Sequence, residues 1–177
     1  GPDAAAVVDS LEAPTSNGMS SETLLVDATW TEDGVRTTHQ LVARVAPPDT
    51  AVPVFPEYHL DRQHEVMRLV RELADVPVPR TYWVETDAAA IGAPFFVMER
   101  VDGQVPPDVM PYDMEGWVRE SSPDERSTLV RTTVEVLGHI HAIDRAEERF
   151  GFLHPEGDTG GSPLRRHVEG QRRYYDW

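Results

Sequence analysis

Cysteine is absent from the 177 residues, which removes disulfide frameworks, thiolate nucleophiles and cysteine-ligated zinc together and gives no hint of an oxidising compartment. Lysine is absent too, so all 16 Lys+Arg residues are arginine, in keeping with the codon bias of a GC-rich genome. No apolar run approaches the roughly 18 residues needed to span a bilayer. The start, Gly1-Pro2-Asp3, lacks the basic region of a secretory signal. A cytoplasmic protein is the expectation. Positive charge is scarce: a formal net charge of -15 and a pI near 4.7 argue against nucleic acid and anionic membrane as partners, since both reward basic patches. The same charge is compatible with a cationic acceptor.

What is present is enough for a core, with 40% hydrophobic residues in a length that suits one sizeable domain or a small domain with part of another. Residues 4–13 suit a short helix or a lead-in strand. From Glu22 to Trp30, Thr23, Leu25, Asp27 and Thr29 alternate with Leu24, Val26, Ala28 and Trp30, the pattern of a strand with one buried face. Asp33-Gly34 marks a hairpin turn, and the return strand runs from about His39 to Ala46 until Pro47-Pro48 stops it. The proline-rich segment 47–56 reads as an ordered loop.

At Leu60 the period changes. Leu60, His64, Met67, Leu69, Val70 and Leu73 share one face of a helix, with Asp61 placed to cap it and residues 75–79 ending it. Thr81–Glu85 and Phe95–Val101 read as two further strands, the second a short apolar run bounded by Pro94 and by Asp102-Gly103. A proline-rich connector follows. Ser122-Pro123-Asp124-Glu125 is then a strong helix start, and Leu129 to Ile143 give that helix a broad apolar face. A last helix begins near Pro163.

Taken in order, several segments resemble the amino-terminal part of the aminoglycoside phosphotransferase and choline-kinase-like family. They are the turn Ser16-Asn17-Gly18-Met19-Ser20-Ser21, the strand Leu41-Val42-Ala43-Arg44-Val45, the helix carrying Glu65, and the texts Val76-Pro77-Val78-Pro79-Arg80 and Gly92-Ala93-Pro94-Phe95-Phe96-Val97-Met98-Glu99-Arg100-Val101-Asp102-Gly103. The similarity covers about residues 16–145. It implies an α+β fold: a protein-kinase-like lobe with a five-stranded antiparallel sheet and one helix (16–101) after a lead-in (1–15). A hinge and the first helices of an incomplete second lobe (102–177) would follow.

The resemblance also implies ATP and Mg²⁺ as cofactors and a small hydroxyl-bearing acceptor, whether aminoglycoside, choline-like or sugar-like. Asn17, Gly18, Ser20 and Ser21 would fold over the phosphates, although such a turn with a single glycine also suits an ordinary hairpin. Arg44 stands at the phosphate-contacting lysine position of the family, a departure that exchanges a point charge for a bidentate fork. An outward arginine on a half-exposed strand is the plainer alternative. Glu65 would orient Arg44, with Arg62, Arg68 and Arg71 as competing partners at helical spacing. Glu99, Arg100 and Val101 would hold adenine through main-chain groups, with Phe96 and Met98 lining the pocket and Val26, Val45 and Val97 either walling it or packing the core.

His139 and His141 are two apart on a helix and point in different directions, so no metal site is expected there. The text Leu137-Gly138-His139-Ile140-His141-Ala142-Ile143-Asp144 resembles a structural helix of the family's second lobe. Asp27 and Asp144 are expected to be capping or solvated. The family's His-Gly-Asp segment, with its base, the asparagine five residues on and the metal-binding aspartate, does not occur; Gly157-Asp158 has no matching asparagine. The expectation is therefore the amino-terminal, nucleotide-binding part of a longer enzyme, inactive alone and without catalytic residues of its own. The open alternative is a non-catalytic nucleotide-binding or homodimerisation module.

Overall fold

The computed structural model describes residues 5–13, 21–47, 55, 57–106, 111–112, 114–154 and 160–176. Five strands, β1 (Val7–Glu12), β2 (Glu22–Glu32), β3 (Val35–Val45), β4 (Thr81–Glu85) and β5 (Phe95–Glu99), form one sheet in the order β1-β2-β3-β5-β4. Every pairing is antiparallel. The lead-in stretch thus contributes an edge strand, β1, hydrogen-bonded along β2.

The β2–β3 hairpin is longer than the alternation alone indicates, because pairing continues to Glu32↔Val35 beside the turn. Asp33 and Gly34 both have positive φ, 50° and 79°, the primed turn whose twist matches the strands it joins. At the other end, β5 stops at Glu99 rather than Val101. The Arg100 N–H still reaches the Gln40 carbonyl at 3.0 Å, after which the chain leaves the sheet.

Helix α1 (Leu60–Leu73) packs on one face of the sheet, with Leu60 and Val70 buried and His64 edge-on to Phe96 at 6.1 Å between ring centroids. Asp61 does not cap α1: His59 is the N-cap, with no side-chain cap bond, and Asp61 sits in the first turn. There its carboxylate still complements the positive end of the helix dipole. The opposite sheet face holds the core cluster Ala28, Trp30, Leu41, Ala43 and Val97, with Leu24, Val26, Tyr82 and Phe95 packed against it. Lying between β3 and β4 with both faces covered, β5 can be apolar at consecutive positions.

The second half holds α2 (Trp117–Glu120), α3 (Pro123–His141), α4 (Ala146–Arg149), a 3-10 turn (Gly151–Leu153) and α5 (Pro163–Asp176). The Glu125 N–H donates to the Ser122 hydroxyl and the Glu125 carboxylate accepts from the Ser122 N–H, a reciprocal box that makes Ser122 the cap expected at the start of α3. Contact with the first half is made where His139 Nδ1 lies 2.8 Å from the Asp75 carbonyl. Val130, Val134 and Leu137 of α3 are half exposed or more. No described helix is long and apolar enough to cross a membrane.

Candidate nucleotide site

Register decides which side chains share a sheet face, since residues directly opposite in an antiparallel ladder point the same way and neighbours along a strand point oppositely. Across β2, β3 and β5 one row is Leu25, Val42 and Met98. The row beside it on that face is Thr23, Arg44 and Phe96. Leu25, Val42 and Met98 are half-buried, a shallow apolar patch next to a guanidinium. Phe96 is fully buried beneath α1 and is core, not pocket lining. Val26, Val45 and Val97 fall on the opposite face, so they do not belong to this patch. Leu25 and Val42 were not singled out from the sequence, although parity with Arg44, two residues along β3 from Val42, was a usable signal.

Arg44 is not joined to Glu65. Its Nε and Nη2 donate to the hydroxyl of Ser21 at 3.2 and 2.6 Å. Ser21 is itself buried, at 6% exposure. Glu65 instead accepts from Arg68 Nε and Nη2 at 2.8 and 2.7 Å, and Arg68 reaches on to Glu72 at 2.9 Å. Arg68 holds the Glu65 carboxyl below its usual range, through hydrogen bonding first, against the opposing effect of burial. Helical spacing favours this outcome, because a partner three residues away on the same helix needs no tertiary alignment. Asn17, Gly18 and Ser20, with Ser16 and Met19, lie outside the described residues.

Glu99 is tied on both sides of its Cα: its N–H donates to the Arg80 carbonyl at 2.8 Å and its carboxylate accepts from the Arg80 N–H at 3.1 Å. The Arg100 guanidinium pairs with Asp27 at 3.3 Å, and the Ser10 hydroxyl donates to the other Asp27 oxygen at 3.0 Å. Asp27 is therefore an ion-pair partner of Arg100 rather than a solvated acid. Val101 is the first residue past the sheet pairing and is 66% exposed. Among the described residues no group of three His, Asp or Glu side chains could hold a metal ion, His139 and His141 included.

The model of the phosphotransferase enzyme family matches residues 16–176. Among curated proteins, acyl-CoA dehydrogenase family member 11 of Homo sapiens is 30% identical over 103 residues, and its counterpart in Gallus gallus 30% identical over 126 residues. These matches cover 58% and 70% of this chain but only 12% and 14% of the relatives' own length. Among solved structures, a "putative aminoglycoside phosphotransferase" from Ralstonia eutropha JMP134 superposes with a TM-score of 0.58 at 22% identity. The superposition spans 99% of this chain and 44% of that one, and shows a shared kinase-like α+β fold.

Proposed function

Because this chain belongs to the phosphotransferase enzyme family, we propose that it is the amino-terminal, nucleotide-binding part of an enzyme that transfers the γ-phosphoryl group of ATP to a hydroxyl of a small molecule. One observation carries the reading: Arg44 shares a sheet face with Leu25, Val42 and Met98, and β5 runs from that face to the exposed residue Val101. An apolar patch suits a purine face, free main-chain groups suit its polar edge, and a donor-only guanidinium suits phosphate oxygens. These residues fit ATP, which when bound supplies the phosphoryl group.

Arg44 would hold phosphate oxygens and Leu25, Val42 and Met98 would cover the base; with the Glu99 and Arg100 N–H groups already bonded to the Arg80 and Gln40 carbonyls, the Val101 N–H and the carbonyls of this stretch would meet its polar edge. Phosphoryl transfer also needs Mg²⁺ ligands and a group to position the acceptor hydroxyl. In this proposal those come from polypeptide outside these residues, since the sequence lacks a His-Gly-Asp segment. This part therefore binds nucleotide without turning it over, and the acceptor is a small hydroxyl compound.

Calorimetric titration with ADP and ATP, with and without Mg²⁺, tests the reading. Wild type is expected to bind, and Arg44→Ala to weaken binding by roughly tenfold to a hundredfold, the value of charge-assisted hydrogen bonds. No heat from a folded sample would overturn the assignment. The exposed apolar residues of α3, Val130, Val134 and Leu137, favour a second reading as a non-catalytic homodimerisation module. Sedimentation at two concentrations separates the two.

A further inference from the structure

We propose that Ser21 is the positioning residue for Arg44: a buried serine immediately before β2, rather than a carboxylate on α1, aims the guanidinium at the nucleotide phosphates. The inference rests on the nucleotide reading above and deepens it.

Two nitrogens of the Arg44 fork converge on the single Ser21 oxygen, at 3.2 and 2.6 Å. A serine hydroxyl has two acceptor lone pairs and one donor hydrogen. With both lone pairs taken by Arg44, the only capacity Ser21 retains is to donate. The Nη1 edge of Arg44 is likewise donor-only. Ser21 and Arg44 together therefore form a cluster of N–H and O–H donors with no acceptor left in it, the chemistry that suits anionic oxygens. Thr23, directly opposite Arg44 on β2, brings to the same sheet face a hydroxyl that can also donate.

A neutral partner also changes the electrostatics. A carboxylate paired with Arg44 would cancel much of its charge and compete with phosphate, whereas a hydroxyl fixes the geometry and leaves the charge intact. Glu65 is the one acid that the family resemblance assigned to this task, and Arg68 already holds it through two hydrogen bonds of 2.8 and 2.7 Å. Releasing it would break two charge-assisted bonds within one helix. The clasp on Arg44, by contrast, joins the residue just before β2 to the end of β3 and includes no residue of α1, so shifts of α1 need not disturb it.

The test is solvent exchange of the Arg44 Nε–H by NMR, assigned through Arg44→Lys. It is measured in wild type, Ser21→Ala, Ser21→Thr and Glu65→Gln at matched thermal midpoints, with parallel titrations of ADP and inorganic tripolyphosphate. The expected result is faster Nε–H exchange and roughly tenfold weaker binding in Ser21→Ala. Ser21→Thr, which keeps the hydroxyl, should restore both, and Glu65→Gln should change neither. A Ser21→Ala protein that binds like wild type, or a Glu65→Gln protein that loses protection and affinity, overturns the proposal. If Ser21→Ala does not fold, Ser21→Cys, close in size but only a weak acceptor, takes its place with the same expected loss and the same overturning result. A folded wild type that binds neither ligand instead overturns the nucleotide reading itself and the phosphate role of Ser21 with it.

Discussion

The imidazole of His64 sits between α1 and β5, edge-on to Phe96, and its Nε2 is buried with no hydrogen-bond partner among the described residues. Burial lowers its pKa below the ordinary value, with Arg68 acting in the same direction and Glu65 against it. The folded state thus prefers the neutral ring, while the unfolded chain takes up a proton near pH 6.5. Since the unfolded state binds more protons below that pH, the stability held above pH 6.5 is lost as pH falls through it and levels off below the folded pKa. His64→Leu should flatten this part of the profile. Urea midpoints at pH 8 and pH 5.5 check it: a mutant that loses as much stability as wild type over that interval would assign the acid sensitivity elsewhere. At this scale the sequence showed the helical face that carries His64, but not the absence of a partner, which depends on what β5 brings against it.

Among elements, the helix start at Ser122 was legible because all its parts are local. Ser122 and Glu125 exchange bonds three residues apart, and Pro123 needs no N–H at the first helical position. Replacing Ser122 by Ala removes the cap and should lower stability by about 1 kcal/mol, read as a shift in the denaturation midpoint of α3. Ser122→Asn, another good cap, should recover most of it. The Asp33-Gly34 turn was legible for a similar reason, since two consecutive positive φ values are tolerated by few residue pairs. Asp61 misled because an acid near a helix start has the same chemistry as a cap one or two residues earlier. The backbone geometry at His59 decided between the two.

Over the whole molecule, the Arg100 side chain ties the end of β5 to the far strands. Its partner Asp27 lies on β2 and is held from β1 by Ser10, while the Arg100 N–H reaches β3. The side chains are only 19% and 33% exposed, and Asp27 Oδ1 and Arg100 Nε make no hydrogen bond, so the pair acts by charge rather than by a well-formed bond. Arg100→Ala leaves Asp27 partly buried without its cation and should cost about 1–3 kcal/mol. The double substitution Asp27→Ala with Arg100→Ala should cost less than the sum of the two single ones, because they share one interaction. A denaturation midpoint for Arg100→Ala equal to that of wild type would mean that the chain leaving β5 is held by its main chain alone.

From the sequence alone came the alternation of β2, the primed turn, the helical period of α1, the box that opens α3, and the position of Arg44 within a strand. Each depends on residues within a turn or two of one another, where local geometry and hydrogen bonding decide. The tertiary structure decided that Leu25 and Val42 share a face with Arg44 while Val26, Val45 and Val97 do not, because parity between strands is set by the register of a ladder. It also decided the partner of Arg44. Glu65 had a salt-bridge partner three residues away, and the hydroxyl that took its place lies 23 residues from Arg44 along the chain, a separation that only the pairing of β2 with β3 closes.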